Sequence, residues 1–192
     1  MLGFDVDKTI QASAYLIKRQ PEHVENYMRL LKLLYLADRL SLKERLSPIC
    51  GDVPYAMRRG PVPSATYNLI KGRDPASDKW DRFIERINYD VRLKVDPGNR
   101  KLSRAELNIL ERVAERFRAY DEWALVHWCH RNIPEYKKNW RARGKRAYRR
   151  IPLEDVLAEI GRAGDQAKII DQLNASAGFA HLFGDHTPTT AE

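Results

Sequence analysis

The chain has little cysteine: two in 192 residues, Cys50 and Cys129. Two cysteines make no disulfide framework. A chain of this length needs none, because its fold buries roughly 70% of the surface the unfolded form exposes. There is no CxxC pair and no HExxH, so two strong short zinc signatures are missing. Gly51 and Gly60 stand nine apart and precede no GK[ST], which excludes that type of phosphate cradle. The longest apolar run falls far short of the ~20 residues of a membrane span. Residues 1–11 carry Asp5, Asp7 and Lys8 without a long apolar core, so no secretion signal is expected and the cytoplasm is the expected location. No nucleophile stands with a base at catalytic spacing, and the chain reads as a non-enzyme without cofactor or metal. Acid is missing from one segment. KKNWRARGKRAYRR, residues 137–150, holds eight Lys/Arg and no Asp or Glu, whereas the chain has 34 basic and 26 acidic residues. The remainder is therefore neutral, and any electrostatic argument about partners rests on this segment.

A hydrophobic share of 43% and a charged share of 31% fit a soluble, mainly helical protein. Asp7 is a candidate N-cap for a first helix to Arg19, and Pro21 ends it or opens the next. A second helix is predicted over 22–45. Its stretch 30–37 is apolar nearly all round, with Lys32 the single charge, so it belongs at the centre of a core. Ser47-Pro48 closes it. Residues 83–89 and 91–95 read as two strands, with Asn88–Asp90 as the turn. Together with 53–58 they predict a three-stranded antiparallel sheet. Ser103-x-x-Glu106 is a capping box and opens a helix over 103–120. Further helices are predicted over 122–131, around Leu153, Val156, Leu157 and Ile160, and over 165–175. The fold class is thus mainly α (α+β), six to seven helices around a buried central helix with a small antiparallel sheet. It forms one domain over 1–185 and a flexible tail over 186–192.

Residues 50–71, CGDVPYAMRRGPVPSATYNLIK, carry the most information. Gly60, Pro61 and Pro63 fit neither a regular helix nor a central strand, so Gly60-Pro61 marks a turn. Val53, Tyr55 and Met57 alternate before it as a short strand, and Ser64 is a candidate N-cap for a helix to Lys71. A rigid strand–turn–helix is expected beside the buried helix.

That arrangement resembles the Panacea, or SocA-like, antitoxin domain. The matching residues are Lys32-Leu33-Leu34-Tyr35-Leu36-Ala37-Asp38, then Gly51-Asp52, Met57, Gly60-Pro61-Val62-Pro63-Ser64, Tyr67 and Lys71-Gly72. Later come Leu102-Ser103, Leu125-Val126, His130, Pro134-Glu135-Tyr136-Lys137 and the run IPLEDVL over 151–157. The likeness spans about residues 10–162. It implies an antitoxin that binds and neutralises a toxin encoded beside it, without catalysis, and such toxins belong to unrelated fold classes.

The candidate partner-binding residues form two groups. One comprises Asp52, Tyr55, Arg58, Arg59, Gly60, Pro61 and Tyr67. Here the turn is expected to be exposed, basic and rigid, either as a preformed docking loop or as a corner fixed by its prolines. Asp52 caps the turn or pairs with Arg58 or Arg59. The other group is the basic segment: Lys137, Lys138, Trp140, Arg141, Arg143, Lys145, Arg146, Arg149 and Arg150. Its cations and aromatics suit an acidic protein groove, or nucleic acid by phosphate contact and base stacking, or a solvated face. A protein partner is favoured because no nucleic-acid-binding motif accompanies the run. The alternative function is a nucleic-acid-binding regulator. His127 and His130 share a helix face, but tetrahedral zinc would need Cys50, His181 or His186 from afar. Cys129 reads as a packed small residue, and His130 as a partner for backbone near Pro134.

Overall fold

The computed structural model describes residues 3–140 and 148–172. It is mainly helical with small antiparallel sheets, as expected. Helix α1 spans Val6–Ile17 and is capped by Asp5, whose side chain accepts from the Lys8 amide. Asp7 lies one step inside the helix and does not cap it.

The central helix α2 spans Tyr27–Arg45. It starts later than predicted, because Glu22 and His23 take positive φ and Val24–Asn26 forms a strand, β1. The Asn26 side chain then accepts from the Met28 amide and caps α2. Leu30, Leu31, Leu33, Leu34, Tyr35 and Ala37 are all buried, as the apolar run requires. The helix stops at Leu46, in left-handed conformation at φ 59°.

Strands β2 (Pro54–Met57) and β3 (Gly60–Pro63) pair as a hairpin, so the connection is strand–turn–strand–helix. The turn lies on Arg58-Arg59. Gly60-Pro61 begins the return strand. This corrects the expectation of an exposed turn at Gly60-Pro61: both are buried. Pro61 and Pro63 are tolerated because β3 is an edge strand, in the order β3-β2-β6, where β6 is Arg149–Arg150. Helix α3 (Ser64–Ile70) follows directly, then α4 (Ser77–Asp81).

Strands β4 (Ile84–Ile87) and β5 (Asp90–Leu93) form a second hairpin turning on Asn88-Tyr89. Its third strand is β1, not β2. The single sheet expected from 53–58 and 83–95 is therefore two separate sheets. Val24–Asn26 takes the β5 edge through a long-range pairing, and β2 pairs instead with β3 and β6.

Helix α5 (Arg104–Arg116) carries the predicted capping box, with Ser103 and Glu106 each accepting the other's amide. Helix α6 spans Glu122–Asn132, α7 Pro134–Asn139 and α8 Leu153–Glu159; α7 was not read from the sequence. Residues 166–172 are helical. The tail over 186–192, the rest of the helix predicted to 175, and His181 and His186 lie outside the described residues. No helix among the described residues is long and apolar enough to cross a membrane.

Candidate interaction site

The buried polar residues of the sequence motifs all act on one hairpin, β2–β3, and the segments around it. Asp38 at the end of the apolar run accepts the amides of Ile49 and Cys50, each at 2.8 Å, and of Gly51 at 3.2 Å. It thereby ties the loop leading to β2 against α2. Burial pushes its carboxyl up to about 7, against the pull of those amides. Asp52, itself buried, accepts the amides of Ala65 at 2.9 Å and Thr66 at 2.7 Å, and the Thr66 hydroxyl at 2.7 Å. It caps α3 from a distance, the part expected of Ser64. The Ser64 hydroxyl instead donates to the Val53 carbonyl at 2.9 Å. Asp52 therefore pairs with neither Arg58 nor Arg59, and its burial makes it a support rather than a contact residue.

Glu135, fully buried on α7, accepts from the Tyr35 hydroxyl at 2.7 Å and from Arg39 Nε at 2.6 Å. Next to it, the Tyr136 hydroxyl bonds the Met57 carbonyl and His130 Nε2, each at 3.0 Å. The Tyr136 ring lies parallel to His130 at 5.0 Å and to Trp140 at 6.3 Å. His130 thus partners Tyr136 rather than backbone near Pro134. Burial and the neighbouring Lys32 lower its pKa, which favours the neutral ring. Cys129 is buried as expected, and its thiol is pushed up to about 12 by desolvation. Among the described residues no group of three or more His, Cys, Asp or Glu could hold a metal ion.

Gly60 has φ +104°, and a Cβ there would stand 3.2 Å from Lys32 Cε and 3.6 Å from Cys129 Cβ. The hairpin therefore rests directly on the Lys32 stem, which is why glycine is needed at this point. Lys32 is 0% exposed, and its ammonium donates to the Met28 carbonyl at 3.4 Å. Desolvation pulls its pKa down to about 8.

Above this scaffold the accessible ones among the described candidate contact residues lie at the hairpin tip and along β2 and β6. Arg58 and Arg59 are exposed at the hairpin tip. The Arg59 guanidinium lies 4.9 Å from the Trp123 ring centre and reaches Met28 Sδ at 4.0 Å. Tyr67 lies 6.5 Å from Tyr27, which stacks on Tyr89 at 6.2 Å. Lys71 donates to the Tyr27 hydroxyl at 2.8 Å. Tyr27, Lys71, Tyr89 and Trp123 were not identified from the sequence as contact residues. Their signal would have been residue type, since exposed Tyr and Trp at a turn or helix start are unusual without a contact to make.

The second patch lies along β2 and β6. Tyr55 tilts against Tyr148 at 6.0 Å, and Arg150 pairs with Tyr55 in the sheet. Arg149, Arg150 and Tyr148 are exposed. Of the remaining basic segment, Lys137 donates to the Arg131 carbonyl at 3.0 Å, and Lys138 forms an ion pair with Asp155 at 2.6 Å. Trp140 is half-buried on Tyr136. Arg141, Arg143, Lys145 and Arg146 lie outside the described residues.

The fold and site thus define a small helical domain whose buried polar groups hold a rigid basic hairpin in place. The family model for the antitoxin SocA-like Panacea domain matches residues 30–135, more than half of the chain, and the protein belongs to that family. No curated protein and no solved structure matches it.

Proposed function

We propose that the protein is an antitoxin that neutralises a cognate toxin, encoded by a neighbouring reading frame, through direct protein–protein binding. Family membership over residues 30–135 is the observation that carries this reading. The geometry supports binding over catalysis. Asp38, Asp52, Glu135 and Tyr136 are each committed to structural hydrogen bonds. Arg58 and Arg59 sit on a turn anchored from below, so little order is lost when a partner engages them. Arg149 and Arg150 add positive charge that steers an acidic partner.

A second reading, a nucleic-acid-binding regulator, is favoured by one observation. Tyr55 and Tyr148 present rings beside Arg149 and Arg150, the combination that stacks bases and tracks phosphates.

The test is a titration of the purified chain with the neighbour's product over a range of salt. Saturable binding is expected. The Arg149→Glu/Arg150→Glu variant should bind more weakly, with a shallower salt dependence. No saturable binding, together with duplex DNA binding that falls steeply with salt, would favour the second reading.

A further inference from the structure

The aromatic residues around the hairpin tip form one connected face. Tyr89 stacks on Tyr27 at 6.2 Å, and the Tyr27 amide donates to the Tyr89 carbonyl at 3.0 Å. Tyr67 adjoins Tyr27 at 6.5 Å. The next residue, Met28, touches Arg59, and Arg59 covers Trp123. The face therefore gathers α2, α3, the start of α6 and both hairpins. Tyr89 is 66% exposed and Trp123 47%. Neither is the kind of residue that gains by staying in water.

The cations of this face, Arg58, Arg59 and Lys71, are bordered by carboxylates, Asp90 beside Tyr89 and Asp121 and Glu122 before Trp123, with Asp121 capping α6. Lys71 sits 4.0 Å from the Tyr27 ring centre and 5.6 Å from that of Tyr67. Among the described residues, neither Lys71, Arg59 nor Arg58 forms an ion pair with a carboxylate. Asp90 beside Tyr89 accepts from the Asn26 side-chain Nδ2 at 3.5 Å. Cations lying over rings keep their charge available for a partner while their stems are held in place. Tyr, Trp and Arg together are the residue types that dominate binding energy at protein interfaces.

We propose that this face, formed by Tyr27, Tyr67, Tyr89, Lys71, Arg59 and Trp123, is the primary docking surface, and that its occupant is an acidic segment of the toxin. The segment's apolar or aromatic side chains pack between Tyr89 and Trp123, and its carboxylates meet Arg59 and Lys71. The basic patch at Arg149 and Arg150 steers the encounter, while this face supplies most of the affinity. The proposal rests on the antitoxin reading, and the test separates the two.

Arg59→Glu, Tyr89→Ala and Trp123→Ala are made singly, with Arg149→Glu/Arg150→Glu for comparison. All sites are exposed, and equal thermal midpoints verify that each variant is folded. Binding is measured against the product of the neighbouring reading frame. Arg59→Glu and Trp123→Ala should each weaken it by about 30-fold, and the comparison variant by only a few-fold at physiological salt. Tight wild-type binding that all three face variants retain would overturn the face and leave the antitoxin reading standing. If the wild-type chain does not bind the neighbour's product, the antitoxin reading falls. The face is then decided by an acidic glutamate–tyrosine copolymer and hydrogen exchange on the unaltered chain. Protection centred on residues 27, 59, 89 and 123 sustains it, and protection confined to 148–150, or none, overturns it.

Discussion

Lys32 is the residue at which folding and site formation meet. Its stem supports Gly60, and its ammonium is wholly buried beside Cys129 with one long hydrogen bond, to the Met28 carbonyl. A buried ammonium without a carboxylate partner is costly, and the fall in its pKa from 10.5 to about 8 corresponds to about 3 kcal/mol. The sign follows from proton counts. Between about pH 8 and 10.5 the unfolded chain holds the Lys32 proton and the folded chain has released it, so stability rises with pH through that window. Below about pH 8 both states are protonated and the full penalty stands. Lys32→Met keeps a flexible stem of similar length under Gly60 and removes the charge. Urea unfolding at pH 7 should show this variant more stable by up to about 3 kcal/mol. Its advantage over the wild type should shrink as pH rises towards 10.5. A variant less stable at pH 7, with a gap independent of pH, would show that the ammonium has a partner the geometry does not reveal. The Lys32 stem lies directly under the β2–β3 hairpin at Gly60 and so helps to set the hairpin's position.

At the scale of elements, the segment between α2 and α3 is tied down by two carboxylates, Asp38 from α2 and Asp52 from within the segment. Asp38 gathers three amides and Asp52 two, plus a hydroxyl. Asp52→Ala leaves the first turn of α3 without its acceptor. It should cost about 2 kcal/mol in chemical denaturation, with hydrogen exchange accelerated at Ala65 and Thr66. Unchanged exchange at those two amides would contradict the capping role. What the sequence disclosed followed how local each signal is. The capping box of α5, the apolar core of α2 and the β4–β5 hairpin are written within a few residues and were legible. The start of α2 was not, because Val24–Asn26 is helix-compatible in isolation and becomes a strand only by pairing with β5, over 60 residues away. The same contact separates the two sheets. The sequence places Asp52 at the turn or with Arg58 or Arg59, because its partners, Ala65 and Thr66, lie across the hairpin. The proposed docking face was partly legible: Arg59, Tyr67 and Lys71 lie inside the motif, the first two as named contact residues, whereas Tyr27, Tyr89 and Trp123 come from distant elements and meet only in the fold.

For the whole molecule, net charge and the proposed binding surface are partly separate. The excess of +8 lies in residues 137–150, yet Lys137 and Lys138 are engaged within the fold. The aromatic face owes its charge to Arg59 and Lys71 instead. Such a division suits an antitoxin, with long-range attraction in one region and short-range recognition in another. The most direct measurement is growth of cells expressing the neighbouring reading frame alone, this chain alone, and both together, with co-purification from the last culture. The account predicts arrest in the first case, growth in the other two, and a stable complex from the third. Arrest that persists with both proteins folded and expressed, or rescue with no complex recovered, would contradict neutralisation by direct binding.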